Sequence, residues 1–159
     1  MVISEPDSGI WETHRSVRLQ RLVDVCVELD VQQLDRYNDD TFGILCRVGD
    51  DGYYALEIST DGRYGIGKVA GHEYTLLAGP DEEPARSDSM DVVLRQAEQL
   101  GQRLRADCIG DTLTLYVDGE NVAEAKDANY TTGSVGLAAY NIDAPRTEVV
   151  FDNFVVRTP

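Results

Sequence analysis

Apolar residues recur at every second position in two neighbouring segments: Phe42, Ile44, Cys46 and Val48 in FGILCRV, then Tyr54, Leu56 and Ile58 in YYALEIS. That is the period of a strand with one buried face. Gly49-Asp50-Asp51-Gly52 and Asp61-Gly62 supply the residues that tolerate the positive φ of tight hairpins. Residues 42–68 are therefore expected to form a three-stranded meander with one buried and one wet face.

The same alternation extends along the chain. Residues 17–31 read as one long strand or two with a bend, and Asn38-Asp39-Asp40 forms a loop before the meander. Gly71-His72-Glu73 turns the chain into a short Tyr74–Leu77 segment. The pattern lapses over 79–102, where Pro80 to Pro84 make an acidic loop and MDVVLRQAEQLGQ is expected to hold a helical turn or two, ended by Gly101. Leu104–Ile109 and Thr112–Asp118 form a hairpin across Gly110-Asp111. A turn at Asp118-Gly119-Glu120-Asn121 follows, and strands near Val135–Tyr140 and Val149–Val156 come last. Many short strands with little helix indicate an all-β antiparallel sandwich or barrel.

A length of 159 residues fits one domain spanning 1–159, with 1–16 as a loosely ordered N-terminal segment. The formal net charge of −15 argues against nucleic acid or an anionic membrane as partner, since phosphate binding relies on clustered Lys and Arg. No apolar run approaches a membrane-spanning length, and MVISEPDSGIWETHR lacks the basic-then-apolar order of a secretory signal. A soluble domain of a larger protein is expected.

Three cysteines leave at least one thiol free or paired outside the chain. Cys46 and Cys108 both lie on the apolar parity of their strands, so they are either a disulfide or two buried thiols acting as small hydrophobes. Cys26 falls on the parity opposite to Val25 and Val27. Without a Cys/His cluster, structural zinc is not expected. His14 and His72 sit in polar, turn-like surroundings and read as solvated. Trp11, the only tryptophan, is either a stacking platform or a core or edge-covering residue.

RLRADCIGDTLTLYVDGENVAEA, GSVGLAAY and the closing FDNFVV resemble the concanavalin A-like jelly-roll superfamily, in particular its laminin-G-like and bacterial domain-of-unknown-function branches. The resemblance runs from about Asp24 onward. It implies two curved antiparallel sheets, with any ligand on the concave face or its rim. Lectins, glycosidases, adhesion modules and spacers share this fold, so it does not set the activity.

Catalysis in such a fold needs two facing carboxylates. Glu28-Leu29-Asp30 begins like the motif of laminarinase-type relatives, but Gln32 or Gln33 stands where the second glutamate belongs. In the keto-glycoside hydrolase type, Gly43-Ile44-Leu45-Cys46-Arg47 resembles the first strand, yet Ala55 occupies the carboxylate position. Both departures point away from an enzyme. Laminarinase-like relatives also bind a structural calcium through an aspartate at the start of the final strand, which Asp152 matches. Asp152 shares the parity of Phe154 and Val156, so it is expected to point inward, where calcium, an ion pair or hydrogen bonds would satisfy it.

The outward parity of the meander carries Leu45, Arg47, Tyr53, Ala55, Glu57 and Ser59, with Gly65 and Gly67 as bare backbone. Sugars are held by aromatic faces and by planar carboxylate, amide and guanidinium groups, which makes Arg47, Tyr53, Glu57, Tyr140 and Asn141 a candidate ligand set. The plainer alternative for these residues is cross-strand pairing and solubility. The expected function is a non-catalytic recognition or spacer module that binds a glycan, within an exported or cell-surface bacterial protein. A protein-interaction domain is the alternative and a glycosidase the third reading. A cytoplasmic location fits if Cys46 and Cys108 are reduced.

Overall fold

The computed structural model describes residues 2–5, 17–33, 41–60, 62–79, 101–140 and 147–159. Its strands are β1 (Val2–Glu5), β2 (Val17–Leu22), β3 (Val25–Gln33), β4 (Thr41–Gly49), β5 (Gly52–Ser59) and β6 (Tyr64–Ala70). They continue with β7 (Glu73–Ala78), β8 (Gln102–Ile109), β9 (Thr112–Val117), β10 (Glu120–Lys126), β11 (Gly133–Tyr140) and β12 (Thr147–Arg157). Residues 17–33 thus form two strands with a bend between them. Val2–Glu5, within the segment expected to be loosely ordered, pairs with β12 instead. The helical turn expected in 79–102, Trp11, His14 and the Asn38–Asp40 loop lie outside the described residues.

Two six-stranded sheets, with all their strand pairs antiparallel, make up the architecture. The first runs β1-β12-β3-β8-β9-β10, the second β2-β11-β4-β5-β6-β7. Alternation delivers Val25, Val27, Leu29 and Val31 of β3 and Leu104, Ala106 and Cys108 of β8 to one side of the core. Phe42, Ile44 and Cys46 of β4 and Tyr54, Leu56 and Ile58 of β5 meet them from the other sheet. Each fully buried aliphatic or aromatic side chain contributes about 1.5–3 kcal/mol. A disulfide between Cys46 and Cys108 joins β4 to β8 and so crosses from one sheet to the other. Cys26 is a free, partly exposed thiol.

Among the register shifts, those on β4 and β12 alter the expected facing of candidate residues. On β4 the register shifts between Cys46 and Gly49, with Arg47 at φ 54°. On β12 it shifts between Asp152 and Val155, with Asn153 at φ 50°. Each inserts one residue and exchanges the faces beyond it.

The first bulge sends Arg47 between the sheets, where it is 2% exposed. Its guanidinium donates to the carbonyls of Gly110 (2.7 Å) and Tyr130 (2.9 Å), tying the β8–β9 turn and the β10–β11 connection to β4. At the same end, the Tyr54 hydroxyl donates to Asp127 Oδ1 (2.5 Å) and accepts from the Tyr130 amide (3.0 Å). Lys68 Nζ donates to Asp127 Oδ2 (2.9 Å), and the Asn129 amide donates to Oδ1 (2.9 Å). Burial, then the bond to Asp127, push the Tyr54 phenol up to about 12. Burial opposes ionisation of Asp127, but the donors from Tyr54, Asn129 and Lys68 together outweigh it and hold the carboxyl below its ordinary range. Gly52 (φ 147°) completes this end, since a Cβ there would collide with the Val69 carbonyl and the Tyr130 hydroxyl.

Reducing Cys46–Cys108, which closes a separation of 62 residues, is expected to lower stability by about 4 kcal/mol on the chain-entropy model. Urea unfolding with and without reductant measures this. Because the folded Asp127 carboxyl is depressed, its contribution is present above its unfolded value and is lost as pH falls through the folded one. An Asp127→Asn variant should therefore be less stable than the parent at neutral pH, with the gap closing below about pH 4. A gap that is constant with pH would assign the loss to something other than the carboxylate charge.

Candidate functional site

The face of the second sheet turned away from the core carries successive rows of residues across β11, β4, β5 and β6. Gly136, Leu45, Ala55 and Gly67 make one row; Ala138, Gly43, Glu57 and Gly65 make the next. Tyr53 pairs with Val69 before the first row, and Ser59 with Thr41 after the second. Small residues dominate the floor, so the side chains that remain define it.

Contrary to the expected wet face, this surface is buried. Tyr53 is 8% and Glu57 6% exposed, and Leu45, Ala55, Val69 and Ala138 join Tyr53 in a second apolar cluster separate from the core. On the β6 side the cover comes from β7. Tyr74 pairs with Val69 and lays its ring over Gly67, where any Cβ would collide with it. Leu76 reaches within 3.2 Å of the Cβ position of Gly65. Glycine is required at Gly67 because the aromatic ring fills the volume a side chain would need.

Tyr74 nevertheless remains 49% exposed, and Leu76 is exposed beside it. Burial and, secondarily, the Glu57 carboxylate raise the Tyr74 phenol above its ordinary range. That hydroxyl therefore stays a neutral donor. One row on, the Ser59 hydroxyl is buried without a hydrogen-bond partner. An aromatic plate, a carboxylate and an unsatisfied hydroxyl thus follow one another along the face, a set able to stack on an apolar surface and exchange hydrogen bonds with hydroxyls.

Of the residues expected to bind ligand, Tyr53 and Glu57 share this face. Arg47 does not: its bulge turns it inward, and its guanidinium is committed to Gly110 and Tyr130. Tyr140 lies on β11, its backbone paired with Thr41. Asn141 lies outside the described residues. Tyr74 and Ser59 were not in the expected set. For Tyr74 the available signal was an aromatic on the strand next to a Gly-x-Gly, with nothing local to say that the ring would cover the glycine.

Asp152 is exposed, not inward. It pairs with Asp30 before the β12 bulge, whereas Phe154 and Val156 reach the core only after it. Its Oδ1 accepts the Asn153 amide at 2.8 Å. Among the described residues, no three His, Cys, Asp or Glu side chains converge on a point suited to a metal ion.

Glu28 and Asp30 lie on the outer face of the first sheet, away from Glu57. Arg103 donates to both, at 2.6 Å to Glu28 and 3.0 Å to Asp30; Arg157 adds 2.7 Å to Glu28 and Asn153 Nδ2 adds 2.6 Å to Asp30. The Arg103 bond, helped by Arg157, holds Glu28 below the usual carboxylate range against its burial. Beside them Arg105 pairs with Asp107 and stacks on Tyr116. This face carries an ion-pair ladder in which Glu28, Asp30 and Asp107 are each paired with an arginine.

No family model and no curated protein sequence matches the chain. Solved structures do match in fold. The carbohydrate-binding module CBM66 from Bacillus subtilis superposes with a TM-score of 0.67 at 16% identity, covering 87% of this chain and 77% of that one. A protein of unknown function with a galectin-like fold, also from Bacillus subtilis, gives 0.57 at 15% identity and covers 99% and 89%. Xylan β-1,4-xylosidase from Bacillus halodurans C-125 gives 0.64 at 15% identity; the match spans 98% of this chain but 32% of the enzyme. The chain thus shares with these structures a fold of two antiparallel sheets packed as a β-sandwich.

Arg47→Ala is expected to cost about 3 kcal/mol of stability, since it removes two charge-assisted hydrogen bonds and leaves two carbonyls unpaired. Urea unfolding checks the loss. Unchanged stability would contradict the inward placement.

Proposed function

We propose that this chain is a non-catalytic carbohydrate-binding module that holds a glycan at the Tyr74 rim of its second sheet. The observation that carries the reading is the half-exposed Tyr74 ring over Gly67, with the Glu57 carboxylate and the partnerless Ser59 hydroxyl following on the same face. A sugar ring stacks its C–H surface on the tyrosine and directs its hydroxyls toward Glu57 and Ser59. The fold shared with a carbohydrate-binding module supports the same assignment. Against catalysis, Glu28 and Asp30 are bound by arginines, and Glu57 stands on the opposite outer face. The Cys46–Cys108 bridge fits an oxidising, exported setting.

A second reading has its own observation: Tyr74 and Leu76 are exposed together on β7, which ends the second sheet among the described strands. A protein partner could dock there by edge pairing.

A glycan-array screen followed by titration calorimetry tests the first reading. Tyr74→Ala should weaken binding by about tenfold or more, the equivalent of about 1.4 kcal/mol, and Glu57→Gln should weaken it while leaving any protein contact at the β7 edge intact. Silence across the array from a folded protein would sink the glycan assignment and favour the second reading.

A further inference from the structure

We propose that Asn129 is a site of N-linked glycosylation, which takes an oligosaccharide from a polyprenyl phosphate-linked donor in the exported setting proposed above. Asn129-Tyr130-Thr131 fits the acceptor pattern Asn-x-Thr, whereas Asn38, Asn121, Asn141 and Asn153 have no Ser or Thr two residues on. A three-residue pattern recurs by chance, so its place in the fold decides what it can do. These residues lie in the connection between β10 and β11, with Asn129 and Thr131 exposed on either side of a half-buried Tyr130. The Tyr130 ring packs on Tyr54 at 5.2 Å between centroids, and its hydroxyl donates to the Val69 carbonyl at 3.0 Å. Anchoring the middle residue leaves its two neighbours in solvent. Asn129 joins the hydrogen bonding through its backbone amide, which donates to Asp127; among the described residues its carboxamide makes no hydrogen bond, nor does the Thr131 hydroxyl.

Both groups that the pattern requires are therefore free for an enzyme to engage. In the transfer, Asn129 Nδ2 attacks the anomeric carbon of the donor and loses one proton. A C–N bond forms as the anomeric C–O bond breaks, and the polyprenyl phosphate leaves with the electron pair. The product is a bulky, solubilising group projecting from a surface turn, where it displaces no packed side chain. The Cys46–Cys108 bridge is consistent with the oxidising compartments in which exported chains are modified.

The folded turn is nevertheless held tightly. Besides the Asn129 bond, the Tyr130 amide donates to the Tyr54 hydroxyl at 3.0 Å and the Tyr130 carbonyl accepts from Arg47 at 2.9 Å. A transferase must draw the acceptor and its neighbours into its own cleft, which would break all of these together. Transfer therefore precedes closure of this end of the sandwich.

The test is mass spectrometry of the denatured chain, purified from its natural source and digested to peptides. The peptide containing Asn129 should carry an added mass that fragments as sugar units. Being covalent, it survives denaturation, which separates it from a glycan held at Tyr74, and neither result bears on that reading. Asn129→Gln and Thr131→Ala, each produced in the same host, should lose the added mass while unfolding in urea as the parent does. An unmodified Asn129 peptide overturns the proposal, and so does an added mass that persists in both variants. Cys108→Ser, which delays closure, should leave the modified fraction as high as in the parent or higher. A lower fraction overturns the order of events. The parent peptide decides the assignment even if Cys108→Ser fails to fold.

Discussion

The structure depends on one extra residue in β4. By inserting Arg47 at positive φ immediately after Cys46, the bulge lets two consecutive side chains face the interior, which a regular strand forbids. Cys46 then joins the first sheet covalently through Cys108, and Arg47 joins it through the Gly110 carbonyl. Covalent and ionic ties are thereby concentrated at one end of the sandwich. The Tyr54–Asp127–Lys68 cluster lies there too, linked to Arg47 through Tyr130. Two of the guanidinium's N–H groups are met by backbone carbonyls that would otherwise need partners of their own, the Asp24 carboxylate lies 3.8 Å away, and Nε is buried without a partner.

The two outer faces divide the labour. That of the first sheet spends its charge internally, pairing Glu28, Asp30 and Asp107 with Arg103, Arg105 and Arg157. That of the second is small, largely apolar and nearly uncharged, with Tyr74 partly open at its margin. A fold shared with lectin-like and glycosidase-associated structures leaves either face available for use. What distinguishes them here is that Glu28, Asp30 and Asp107 of the ladder are engaged by arginines, while the other face holds the Ser59 hydroxyl with no partner.

The strands were legible in the sequence because alternation and glycine turns are local signals, and the meander, the 110–111 hairpin and the final strands fall where those signals put them. Facing was legible only as far as the first bulge on each strand. Phe42, Ile44 and Cys46 point inward as their period requires, yet Arg47 does not take the opposite face; Phe154 and Val156 reach the core, yet Asp152 does not accompany them. Both errors have one origin, a register shift that leaves no mark in residue type, since arginine and asparagine rather than glycine occupy the positive-φ positions. The covering of Gly67 by Tyr74 was hidden for another reason: it depends on the tilt of a side chain across a strand pair, which periodicity does not encode.

The strand order also bears on how the chain reaches this state. β4 to β7 and β8 to β10 are two meanders whose neighbours are consecutive in sequence, whereas β3, β11 and β12 must be inserted against partners far along the chain. Pairing within a meander closes short loops, whereas the pairings of β3, β11 and β12 close long ones and carry the larger entropic cost. Cys46 belongs to one meander and Cys108 to the other, while Cys26 lies on β3. The Cys46–Cys108 crosslink therefore locks one meander to the other rather than closing either on itself, and Cys26, whose neighbour across the strand pair is Asp107, faces away from that bond.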